Sequence, residues 1–123
     1  MAGRPVLEPT AQHPIAVTPT GRHVTVTVNG VVIAETDDAL TLQESDYPAV
    51  QYIPLRDVVE SALVCSDTST YCPYKGDAAY YHVNAADQTV EDAIWTYAQP
   101  YPAVAAIAGH VAFYPDKADI SVR

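Results

Sequence analysis

Val24, Val26 and Val28 alternate with Thr25 and Thr27, run into Asn29-Gly30, and are answered by Val31-Val32-Ile33-Ala34. A period of two puts the three valines on one face of a strand. Asn-Gly supplies the two positive-φ residues that a tight hairpin turn needs, so the chain is committed to antiparallel sheet from this point. The device recurs. Asp37-Asp38 turns the chain into a strand over Ala39 to Gln43 with Leu40 and Leu42 facing in, and Ala49 to Ile53 reads as the next, before Pro54. Val58 to Val64 fits a short helix or a strand, and strand is preferred. Tyr80 to Val83 and Val90 to Tyr97 flank a polar turn at Ala85 to Gln88, and Val111 to Tyr114 and Ala118 to Val122 complete the set. Pro102 and Gly109 bracket one short helix, proline at its start and glycine at its stop. Turn signals at intervals of about eight to twelve residues predict an all-β fold, two antiparallel sheets in a compact sandwich-like arrangement with one short helix.

Residues 1–21 carry Pro5, Pro9, Pro14 and Pro19 and few large apolar side chains, and read as an extended arm. Residues 22–123 then form a single β domain, long enough to bury a core without a metal or disulfide staple. Fifteen acids against six bases give a formal charge of −9, and the bases are scattered, so nucleic acid and anionic membrane are not expected partners. No apolar run reads as a signal segment or membrane span, and a cytoplasmic location is expected. Cys65 and Cys72 are too few for a disulfide framework and are expected to be reduced. Their spacing does not suit a structural zinc site, and neither a metal nor another cofactor is expected. An exposed strand edge or the proline-rich arm could support a homodimer.

Nine tyrosines against one phenylalanine suggest a core or pocket with polar needs. The densest chemistry lies in Thr70-Tyr71-Cys72-Pro73-Tyr74-Lys75-Gly76, where a thiol, two phenols and a cation sit on a backbone bent by proline and glycine. Strand alternation groups Ala93, Trp95 and Tyr97 on one face, His110, Ala112 and Tyr114 on another, and Val50 with Tyr52 on a third. Converging, these faces would line an aromatic pocket with the Lys75 turn at its mouth. Lys75 reads either as a desolvated base or as an exposed ammonium over Tyr74. His110, just after Gly109, suits proton transfer near neutral pH. His82 is expected to face away from Tyr81, and His13 and His23 look peripheral.

These motifs resemble, from His13 to Ile120, the bacterial and fungal family known as domain of unknown function 427. The resemblance rests on Val28-Asn29-Gly30, Tyr52-Ile53-Pro54, Tyr71 to Gly76 with Tyr80-Tyr81, Ala93 to Tyr97, and Ile107 to Asp116. It implies a β-tent fold, as in methionine sulfoxide reductase B and the drug-binding domain of cereblon, without the zinc ligands those relatives often carry. Thr68 stands where the family often has histidine, and Leu55-Arg56 where it often has an arginine-acid pair. Three functions are weighed. The first is a cofactor-independent enzyme doing proton-transfer chemistry on a small organic molecule, with catalytic groups among Lys75, His110, Tyr74, Tyr81 and Tyr97. Tyr52, Cys72, Trp95 and Tyr114 would bind the substrate. The alternative is a non-catalytic module binding a small molecule or peptide through the same wall. Nucleotidyl transfer, a label sometimes given to the family, calls for a glycine-rich phosphate cradle and metal-binding carboxylates that this sequence does not clearly offer.

Overall fold

In the computed structural model, which describes residues 4–123, the chain forms ten strands. They are β1 (Ile15–Pro19), β2 (Val24–Val28), β3 (Val31–Thr36), β4 (Leu40–Glu44), β5 (Val50–Pro54), β6 (Leu63–Cys72), β7 (Gly76–Ala85), β8 (Gln88–Thr96), β9 (His110–Phe113) and β10 (Asp119–Val122). Every pairing among them is antiparallel: one sheet runs β1-β4-β5-β9-β8-β7-β6 and a smaller one runs β10-β2-β3. Asn29 and Gly30 take φ of 51° and 79° in the expected hairpin. Val24, Val26 and Val28 are buried while Thr25 and Thr27 are partly open, as the alternation requires. Opposite them β3 holds a bulge, with Val26 facing Ala34 and Thr27 facing Val32, so consecutive Ile33 and Ala34 are both buried.

Three elements differ from the sequence expectation. The arm expected over residues 1–21 joins the large sheet at Ile15, where β1 pairs with β4 and sets Ile15 opposite Glu44 and Val17 opposite Leu42. Ile15 and Val17 supply an apolar face, and Pro19 ends an edge strand, where a missing N–H costs little. Residues 1–3 of that arm lie outside the described residues. Between Val58 and Val64 the strand begins only at Leu63; before it come 3₁₀ turns at Leu55–Asp57 and Glu60–Ala62. Val58 and Val59 are tied instead to β3, through a bridge to Ala34 and a 2.8 Å bond from the Val59 N–H to the Ile33 carbonyl. The short helix is a 3₁₀ segment, Pro102–Ile107, broken at Val104 by a φ of −124°.

Each face of the large sheet carries its own core. One, built on Ile53, Val83, Ile94, Val111 and Phe113, packs against Val24, Val26, Val28 and Ile33 of the small sheet. The other gathers Leu42, Tyr52, Tyr97, Ala112 and the buried Val104 and Ile107 of the 3₁₀ segment. Curvature makes this second core possible. Four strand spacings separate β4 from β7, about 19 Å on a flat sheet, yet Leu42 and Ala78 share one cluster. The sheet therefore bends around that face, bringing the β6–β7 turn toward β4.

Candidate ligand pocket

The concave face opens into a cavity of about 380 Å³ lined by β4, β5, β7, β8 and the two turns at its rim. Its walls are aromatic: Tyr52, Tyr80, Trp95, Tyr97 and Tyr114, with Tyr47 at the β4–β5 turn. Period-two alternation puts Tyr52 and Tyr80 here, and β8 reaches the same register through a bulge. Tyr81 pairs with Ile94 but Val83 with Val90, so β8 carries two extra residues around Asp92, whose φ is 48°. As a result Ala93 belongs to the opposite core, away from Trp95 and Tyr97 with which simple alternation groups it. The Trp95 and Tyr114 ring centroids are 4.5 Å apart, Tyr80 lies nearly parallel to Tyr114, and the Trp95 indole N–H donates to the Tyr52 hydroxyl at 3.2 Å.

At one end of this cavity Lys75 Nζ donates to Glu44 Oε1 at 2.6 Å, both side chains being close to nine-tenths buried. Oε2 of the same carboxylate meets His13 Nε2 at 2.7 Å. Burial alone would push the Glu44 carboxyl up; the hydrogen bonds from Lys75 and His13 outweigh it and hold the group below its ordinary range. The phenols respond to burial without such compensation. Tyr52 is pushed up to about 12 and Tyr97 and Tyr114 are raised as well, all chiefly by desolvation, so each keeps its proton. The polar end is thus an ion pair with an attached imidazole, and the walls are neutral hydroxyl donors.

The N-terminal segment holds this end in place. The Leu7 N–H donates to the Pro73 carbonyl at 2.9 Å, and the Tyr71 hydroxyl donates to the Pro5 carbonyl at 2.7 Å. Arg4 forks onto Asp77 while its guanidinium lies 4.1 Å from the Tyr71 ring centre. His13 then stacks on Tyr74 with centroids 4.3 Å apart, so the turn bearing Lys75 is clasped on both flanks.

Of the residues singled out in the sequence, Tyr52, Lys75, Trp95, Tyr97 and Tyr114 come together around the cavity. Cys72 packs partly buried beneath it, 3.9 Å from Lys75 Nζ, and both cysteines are free. Tyr74 is occupied by His13 and makes no platform for Lys75, which points at Glu44. Tyr81, next to pocket-facing Tyr80, faces a separate cavity of about 590 Å³ with Leu63 and Cys65. His110 turns back onto the Ala108 carbonyl at 2.9 Å, outside the pocket. Sequence reasoning missed Glu44 and set His13 aside. Yet Glu44 continues the inward series Leu40, Leu42, and His13 continues Ile15, Val17, so the alternation itself held the signal. Beyond Tyr114, Asp92 accepts hydrogen bonds from Ser66 and Thr68, which hold its carboxyl below the ordinary range, and its N–H donates to His82 Nδ1 at 3.0 Å. This network ties the β8 bulge to a matching irregularity of β6 between Cys65 and Ser69. Among the described residues no three His, Cys, Asp or Glu side chains converge as a metal site. Nor is any helix among them long and apolar enough to cross a membrane.

Fold and site together define an all-β protein of two antiparallel sheets whose larger sheet bends around an aromatic pocket. The chain belongs to the family described as a domain of unknown function, DUF427, whose model matches residues 16–123. No curated protein matches it.

Proposed function

We propose that this protein binds a small organic molecule in the pocket of the concave face. The observation carrying this reading is the buried Lys75–Glu44 ion pair at the end of an aromatic-walled cavity of about 380 Å³. Desolvating both charges is costly, and an apolar pair would pack there at least as well, so stability alone gives little reason for the arrangement. Apolar walls with a few convergent polar groups are the usual makings of a ligand site, and the volume suits a molecule of one or two rings. Thermal unfolding of wild type, Lys75→Met and Trp95→Leu against a library of aromatic and heteroaromatic fragments tests it. A ligand at a hundred times its dissociation constant adds about 2.7 kcal/mol, several degrees for a domain of this size. Stabilisation of wild type that both variants lose supports the pocket; stabilisation that survives both refutes it.

A second reading, acid–base catalysis on the bound molecule, is favoured by one feature. Glu44 stands between two proton carriers, Lys75 and His13, and faces protonated phenols. Such a set could move a proton at an acidic C–H, each well-placed group contributing about 10²–10⁴-fold. Deuterium exchange into a bound carbonyl compound, lost in Glu44→Gln, is the expected signature; exchange at the solvent rate in wild type removes the catalytic reading and leaves binding intact.

A further inference from the structure

Resting on the pocket reading, we infer that the ligand is an uncharged planar carbonyl compound, its oxygen received by the Tyr97 hydroxyl and its ring laid against Trp95 and Tyr114. Tyr97 is 93% buried, its relative exposure being 7%, and it lines the cavity. Its hydroxyl has no hydrogen-bond partner among the described residues, whereas those of Tyr52, Tyr71, Tyr80 and Tyr114 all do. The enclosed side-chain polar atom left without a partner among the described residues is Ser45 Oγ, not this hydroxyl, which opens to the cavity and has its proton free for an acceptor from outside the chain. Burial keeps that phenol protonated, which makes it a donor. Tyr52 is placed to assist: its oxygen accepts from Trp95, leaving its own proton to be given elsewhere.

The charge of that oxygen follows from the ion pair. Lys75 is matched by Glu44 at 2.6 Å, and the chain as a whole carries −9. A carboxylate or phosphate entering the pocket would meet no uncompensated lysine or arginine among its lining residues; Lys117, 5.4 Å from the Tyr114 ring centre, lies outside the lining and is held on the Glu91 and Asp92 carbonyls. To gain Lys75 it would have to draw the ammonium from Glu44, leaving a buried carboxylate with His13 alone. A ketone, amide or quinone-type oxygen asks for no such rearrangement. The walls select shape in the same way, since Tyr80 and Tyr114 are nearly parallel and Trp95 closes beside them, an arrangement of ring faces suited to a flat molecule.

Benzamide, acetophenone and benzoate, similar in size and different in charge, are the probes. Affinities come from quenching of Trp95, the chain's one tryptophan, and the site from NMR shifts of the Trp95 and Tyr114 rings. The two neutral probes should bind at least tenfold more tightly than benzoate, and Tyr97→Phe should weaken them about tenfold, the worth of one buried hydrogen bond. Benzoate binding as well as the neutral pair, or Tyr97→Phe leaving them unchanged, overturns the ligand class while the pocket stands. Failure of all three to perturb either ring, at concentrations up to their solubility, overturns the pocket and this inference with it. The comparison of charges is made on wild type and stands even where Tyr97→Phe does not fold.

Discussion

Replacing Glu44 by leucine removes the carboxylate and leaves the Lys75 ammonium facing a desolvated wall. The side chains of Lys75 and Glu44 are 11% and 14% exposed, so solvent screens the loss only slightly. Breaking a buried pair from one side costs about 3–5 kcal/mol, and the opening toward the cavity argues for the lower figure, about 3 kcal/mol. With an unfolding entropy of about 2.1 cal/mol/K per residue, a chain of this length loses about 12 °C of midpoint for that change. Lys75→Met should cost less, because Glu44 keeps its bond to His13 and can take up a proton. Combining the two replaces the pair with apolar side chains and should recover at least half of the single-variant loss. Calorimetry of the four proteins closes a double-mutant cycle. The reasoning is refuted if Glu44→Leu melts within 2 °C of wild type, or if the double variant is as unstable as the two single losses added together.

The pH dependence of the same group has a definite sign. Glu44 is depressed below its ordinary value of 4.5, so its stabilisation is fully present above that pH and fades as pH falls through the lowered folded value. The stability difference between wild type and Glu44→Gln should therefore shrink below pH 4.5 in denaturant titrations, and a difference constant down to pH 2.5 would contradict the ion pair. Backbone conformation gives a further comparison. Gly30 has φ +79° with open space around an added Cβ, so Gly30→Ala should cost about 1–2 kcal/mol from strain alone. Gly76, at φ +111° with the Gln99 carbonyl 3.4 Å from such a Cβ, should tolerate alanine less well. Equal midpoints for the two variants would count against the geometry of the Lys75 turn.

How much of this was legible from sequence depends on whether a signal was local. The β2–β3 hairpin is written in one unbroken run, Val24 to Ala34, and its turn and alternation are both found in the fold. The aromatic wall was legible because Val50 with Tyr52, Trp95 with Tyr97, and Ala112 with Tyr114 just past β9 are spaced by two and do face the same side. Ala93 was misgrouped because a bulge resets the period, and Asp92 looks like any solvent-facing acid until Ser66 and Thr68 arrive from β6. The polar middle of β6, Ser66 to Thr70, shows no apolar pattern because β6 is a sheet edge with mostly exposed side chains. Glu44 escaped for another reason. A charged residue at the end of an apolar series reads as the end of a strand, and only the bending of the sheet reveals that a lysine from the far side meets it.

The clasp made by residues 4–13 lies ahead of residue 16, where the match to the family begins, yet it delivers the imidazole that shares Glu44 with Lys75. The pocket therefore has two authors within one chain. Its walls are bound by sheet register, where a change at one position disturbs neighbours on two strands. His13 belongs to a segment outside any strand, so no sheet register fixes which side chain stands there. A substitution at residue 13 thus changes what stands beside Glu44, and with it the charge at this end of the cavity, without altering any strand pairing.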